Sequence, residues 1–140
     1  MLVVDNEIRE HIDKISAQMR RNYSDSLRQL DLHVGQDNLL CQLWREDGIT
    51  HMQLSERLNC EPPTVTNMVK TLEKKGFIYR KKDSADGRVS RVYLTEKGIK
   101  IRDSIERIWK KQQEKLLKGL SADGRKLLNQ LLKQMENNLL

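Results

Sequence analysis

The segment EPPTVTNMVKTLEKKG, Glu61 to Gly76, is bounded and patterned like a helix. Pro62 and Pro63 stand where a helix can begin, because a first-turn proline gives up only a donor that lacks an intrahelical partner. Gly76 stands where one can end. Val65, Met68, Val69 and Leu72 recur at the spacing of one buried stripe. At about 100° per residue, the opposite side carries Pro63, Asn67, Lys70 and Lys74, with Thr64, Thr66 and Thr71 on its shoulders. That side is cationic and free of carboxylates, whereas a merely solvated face mixes both signs. Amide, hydroxyl and ammonium donors suit phosphate oxygens and base edges.

Working outward, Thr50 and Gln53 have the capping-box spacing that opens a helix from His51 to Leu58, with Leu54 and Leu58 inward. Only Asn59, Cys60 and Glu61 separate that helix from the next, and two helices joined by so tight a turn form a helix-turn-helix. Beyond Gly76, Phe77 to Tyr79 and Val89 to Leu94 read as two short strands. Between them Arg80 to Arg88 form a charged, turn-rich connection, so the pair is expected to be a wing with a basic tip. The competing reading is a hairpin whose charges only protect its edges.

On either side lie long amphipathic helices. Asp5 to Leu30 carries Ile8, Ile12, Ile15, Met19, Leu27 and Leu30 at a three-and-four spacing interrupted only near Tyr23, and Leu39, Leu40, Leu43 and Trp44 mark a second helix ending near Asp47-Gly48. Thr95 is placed to cap a helix running to about Gly119, with Ile101, Ile105, Ile108, Trp109 and Leu116 on its apolar side. Ser121 opens a last helix striped by Leu127, Leu128, Leu131, Leu132, Met135 and Leu139. These outer helices hold more apolar surface than a small winged lobe covers, and are expected to pair with one another and with a second copy of the chain. The expected fold is mainly α with a small β wing: a lobe at 35–98 flanked by dimerisation helices at 1–34 and 99–140.

The chain has 140 residues, with 26 Lys plus Arg against 20 Asp plus Glu, for a net charge of +6. That balance favours polyanionic partners. Aromatic residues make up 4%, too few for the stacking platforms that single-stranded nucleic acids use, so duplex DNA is the better partner. No apolar run approaches the roughly 20 residues of a membrane span, and no signal-peptide pattern opens the chain. The expectation is a cytoplasmic protein without membrane association.

The order of elements, with LSERL at Leu54 to Leu58, PPTVTNMVKTLEKKGFIYR at Pro62 to Arg80 and DSADGRVSRVYLTEKG at Asp83 to Gly98, resembles the MarR family of bacterial winged-helix transcriptional regulators. The most specific part is Asp-x-x-Asp-x-Arg followed by Leu-Thr-x-x-Gly. The resemblance implies a homodimer that binds an inverted-repeat operator, most often as a repressor, with a recognition helix in the major groove. It implies that Arg88 enters the adjacent minor groove, that Asp86 orients its guanidinium, and that Thr64, Thr66, Asn67 and Lys70 touch bases and phosphates. Glu61 departs from the serine or aspartate cap that relatives often carry. The resemblance also implies a crevice for a small aromatic or anionic effector, which Tyr23, His33, Trp44 and Met52 would line; ordinary core is the competing reading of all four, and the better one for Trp44 and Met52.

No catalytic constellation is visible, and the chain is not expected to be an enzyme or to hold a cofactor. His11, His33 and His51 stand in no metal-ligand spacing, and Cys41 and Cys60 read as small buried hydrophobes rather than a redox pair. The alternatives to a DNA-binding regulator are a winged-helix protein-interaction module without DNA affinity, or a redox- or metal-responsive regulator.

Overall fold

The computed structural model describes residues 3–140. Its elements are α1 (Val3–Arg28), α2 (Gln36–Arg45), β1 (Ile49–Thr50), α3 (His51–Leu58), α4 (Pro62–Lys74), β2 (Ile78–Lys82), β3 (Ser90–Leu94), α5 (Glu96–Leu117) and α6 (Ala122–Leu139). The protein is mainly helical, with one three-stranded antiparallel sheet in the order β1-β3-β2. Two compact units are present, one ending at Ile108 and one running from Trp109 to Leu140, so their boundary falls inside α5.

In the first unit the core is made where α2, α3 and α4 close over one face of the sheet. Leu39, Leu40, Leu54, Val65, Leu72 and Val92 are all fully buried there, and Val69, Phe77 and Ile78 nearly so. Each such side chain contributes about 1.5–3 kcal/mol over its exposed state. The stripe expected along α4 is thereby the seam of the lobe, with Met68 half-buried beside it.

Helix ends follow the local chemistry of the sequence. Thr50 accepts from the Gln53 amide while the Gln53 side chain accepts from Thr50 N–H, completing the capping box. At the end of α4, Gly76 takes φ +85, Phe77 N–H donates to the Leu72 carbonyl and Gly76 N–H to that of Glu73. This is the Schellman arrangement, in which glycine tolerates the left-handed turn and a buried contact seals it. Glu61, by contrast, caps α4 with no side-chain hydrogen bond.

Three expectations need correction. The second strand does not stop at Tyr79 but runs to Lys82, because Arg80, Lys81 and Lys82 pair with Val92, Arg91 and Ser90. Cross-strand hydrogen bonds there outweigh the turn-like composition. Residues Ile49 and Thr50 form a further strand, paired with Val92 and Arg91, which the two-strand expectation omits. Cys41 and Cys60 are half-buried rather than core residues.

The apolar stripes of the outer helices stay largely open within one chain. Ile8, Ile12 and Ile15 of α1 are 47%, 40% and 47% exposed, and Leu127, Leu128, Leu131 and Leu132 of α6 are exposed as well. Among the described residues, no helix is long and apolar enough to cross a membrane.

Candidate nucleic-acid interface

On the outward side of α4, Pro63, Thr64, Asn67, Lys70 and Lys74 are exposed, and Thr66 and Thr71 are half-buried on its shoulders. Thr66 is already engaged: its hydroxyl donates to the Pro62 carbonyl at 3.0 Å and lies 3.1 Å from His51 Nε2. The hydroxyl is thereby engaged on two sides, at a backbone carbonyl and at a ring nitrogen. His51 therefore braces α3 against the start of α4. Thr71 likewise donates to the Asn67 carbonyl. Thr64, Asn67, Lys70 and Lys74 are left as the polar groups presented to solvent.

One carboxylate, Glu73, stands at the edge of this face, and Arg80 neutralises it. Arg80 places Nη2 2.9 Å from Oε1, and both its Nε and its backbone N–H donate to Oε2. The Arg80 side-chain hydrogen bond holds the Glu73 carboxyl below its ordinary range. The same pair ties the recognition-type helix to β2.

The wing is built around a residue that the charge pattern did not single out. Asp83 accepts from the amides of Ala85 and Asp86, folding the tip as an Asx turn, and takes Arg91 Nε at 2.6 Å. Arg91 also donates to the Gly48 carbonyl at 2.8 Å, so the base of the wing is fastened to the turn before β1. Across the tip, Asp83 N–H meets the Val89 carbonyl at 2.8 Å. The hydrogen bond from Arg91 is the chief reason that the Asp83 carboxyl titrates below its usual range.

Asp86 receives the Arg88 backbone N–H at 3.0 Å and Nε at 3.2 Å on one oxygen, and Nη2 at 3.4 Å on the other. Arg88 nonetheless keeps its side chain 92% exposed. The guanidinium is thus held in one direction without being covered, and its hydrogen bonds lower the Asp86 pKa. Lys81 and Lys82 are exposed on the neighbouring strand.

Two of the expected effector residues are held by side-chain hydrogen bonds of their own. Tyr23 OH donates to Asp37, and Trp44 Nε1 donates to the Gly98 carbonyl at 2.9 Å. His33 is exposed, and Met52 is 72% exposed, so Met52 is a surface residue rather than core. The first turn of α3 faces outward at that position, which periodicity over eight residues does not settle. Burial pushes the Cys41 thiol pKa up, the opposite of what a reactive thiolate needs.

Residues 33–90, covering α2 to the wing, match the model of the MarR family. The chain is 32% identical over 101 residues to the HTH-type transcriptional regulator YdgJ of Bacillus subtilis, a match covering 72% of this chain and 62% of that protein. This chain therefore spans less than two thirds of that relative's length. Among solved structures it resembles MepR, a transcription regulator of the Staphylococcus aureus multidrug efflux pump MepA, with a TM-score of 0.80, 28% identity, and 92% of this chain and 96% of that one covered. A MepR variant bound to an oligodeoxyribonucleotide is similar over 100% of both chains, with a TM-score of 0.70 and 28% identity. The segment matched, α2 to the wing, is the lobe described above: residues 33–90 form a domain of the MarR family, whose relatives are regulators of transcription.

Proposed function

We propose that this protein is a sequence-specific double-stranded DNA-binding regulator that acts as a homodimeric repressor on an inverted-repeat operator. The observation that carries this reading is the pairing of two donor surfaces. One is the outward side of α4, where Asn67, Lys70 and Lys74 are exposed and the flanking Glu73 is neutralised. The other is the wing, where Arg88 is oriented by Asp86 yet open to solvent. A major groove accepts a helix, and a narrow minor groove concentrates negative potential that suits a guanidinium. The MepR variant bound to an oligodeoxyribonucleotide supports the same reading.

Pairing of two copies is supported by the open stripe of α1 and by that of α6, since exposed apolar stripes mark association sites. In this reading residues 1–34 and 99–140 dimerise and 35–98 contact DNA. Two lobes related by a twofold axis read two half-sites of opposite sense.

The test is selection of bound sequences from a random duplex pool, followed by affinity measured against salt. The expected result is a palindromic consensus and a log-log slope of about −0.9 per phosphate neutralised. A flat salt dependence with no enriched sequence would leave a protein-interaction module as the better description.

A further inference from the structure

The residue that follows α4 is cationic but is not presented as Lys74 is. Lys75 is the C-cap of α4, and its side chain is only 17% exposed. Its ammonium donates to the Asp31 backbone carbonyl at 2.7 Å and lies 3.5 Å from the Asp31 carboxylate. Asp31 is itself part of a helix end: it holds φ +60, and Leu32 N–H donates to the Leu27 carbonyl across it. That is the left-handed position of a Schellman cap closing α1, occupied by a residue that pays strain glycine would avoid.

The pattern repeats one step further along the chain. Lys97, in the first turn of α5, donates from Nζ to the Lys75 carbonyl at 2.7 Å and lies 4.3 Å from the centre of the Phe77 ring. Thr95 Oγ1 donates to the Gly76 carbonyl at 2.6 Å, and Thr95 N–H to that of Phe77 at 3.0 Å. Helix C-termini carry partial negative charge on their unpaired carbonyls, and cations there are favourable. Thus Lys97 caps the end of α4, while Lys75 caps the end of α1.

From this geometry we propose that Lys75 is a positioning residue: it fixes the C-terminal end of α4 to the end of α1, and Lys97 completes the joint from α5. The inference rests on the DNA-binding reading. With its ammonium spent on a backbone carbonyl, Lys75 is not a phosphate contact. Its role is to set the orientation in which α4 presents Asn67 and Lys70, and to make that orientation depend on α1.

The experiment compares full-length Lys75→Met, Lys75→Arg, Lys97→Met and Lys74→Met on the duplex selected by the parent and on a random duplex at one salt concentration. The ratio of the two affinities is the readout, because partial unfolding lowers both alike. Lys75→Met should lower the ratio about tenfold, the scale of one charge-assisted hydrogen bond. Lys75→Arg should restore much of it. Lys74→Met, which removes the same charge from the exposed side, should weaken both duplexes and leave the ratio unchanged. Lys97→Met should lower the ratio to a smaller extent, and it serves as the test if Lys75→Met does not fold. An unchanged ratio in folded Lys75→Met, or in Lys97→Met when Lys75→Met does not fold, would overturn the joint alone. Failure of the parent to select any duplex would overturn the DNA-binding reading, and this inference with it.

Discussion

Replacing Gly98 with alanine should destabilise the protein, although the same change in a helix interior is ordinarily favourable. Gly98 is buried in the first turns of α5, and its own carbonyl accepts from Trp44 Nε1 at 2.9 Å. A Cβ built there would lie 2.1 Å from the Phe77 carbonyl oxygen and 3.0 Å from Leu94 Cδ2. Carbon and oxygen rest at about 3.3 Å or more, so helix and strand must separate by about 1 Å. Alanine gains about 1 kcal/mol of helix propensity. Against it stand about 1–3 kcal/mol of overpacking and about 1 kcal/mol for each of two strained hydrogen bonds, Thr95 N–H to Phe77 and Trp44 to Gly98. The net loss is about 2–4 kcal/mol, or a fall of roughly 10 °C in Tm at fixed protein concentration. Gly124→Ala in α6 is the control, because its Cβ meets only the capping Ser121 Oγ, at 3.1 Å, and no backbone atom. Urea and thermal unfolding of both variants would decide the matter. If Gly98→Ala matched Gly124→Ala or exceeded the parent in stability, the close approach of α5 to Phe77 would be refuted.

Arg88→Ala should lose more operator affinity than Lys81→Ala or Lys82→Ala, since groove insertion uses guanidinium shape and not charge alone. Asp86→Ala should weaken binding although it makes the protein more positive; tighter binding, measured at one salt concentration, would sink the orienting role given to Asp86. Asn67→Ala should cost about 1–3 kcal/mol on the operator and little on random DNA, whereas Lys70→Ala should weaken both and reduce the salt slope by about 1. At acid pH the wing should loosen. Asp83 and Asp86 have folded pKa values below their ordinary ones, so their contribution is complete above about pH 4 and disappears as pH falls through the lowered values. Titration of the Ala85 and Asp86 amide resonances should show midpoints below the ordinary aspartate value, and midpoints at or above it would contradict the pairing.

The helix-turn-helix was legible because its signals are local. Pro62-Pro63, the Thr50 and Gln53 box and the Val65 to Leu72 stripe each act within one or two turns, and the structure places them accordingly. What periodicity could not supply was the identity of long-range partners. β1 has two residues and is a strand only because Val92 and Arg91 lie opposite it. Lys74 and Lys75 are the same residue type side by side, yet one faces solvent and the other a carbonyl of Asp31. Asp83 and Arg91 were visible as charges in a basic hairpin, but nothing in their spacing shows that one folds the tip and the other reaches Gly48. For Met52 only the core alternative is excluded, because an apolar side chain invites that reading although single exposed hydrophobes are common on protein surfaces.

The sheet order also dictates a sequence of events during folding. β2 and β3 meet through a local turn, with Lys82 opposite Ser90, whereas β1 reaches β3 only when Ile49 finds Val92, with both α3 and α4 in the intervening chain. The longer closure costs about 1.5 kcal/mol more in chain entropy than the shorter one, because that cost grows only logarithmically with loop length. The hairpin can therefore form early and wait, while β1 should dock last, after α3 and α4 have collapsed and shortened the effective loop. Arg91 joins the hairpin to that final step, since its guanidinium spans Asp83 and Gly48. Loss of the Gly48 contact alone should consequently speed unfolding far more than it slows refolding, the kinetic mark of a contact made after the transition state.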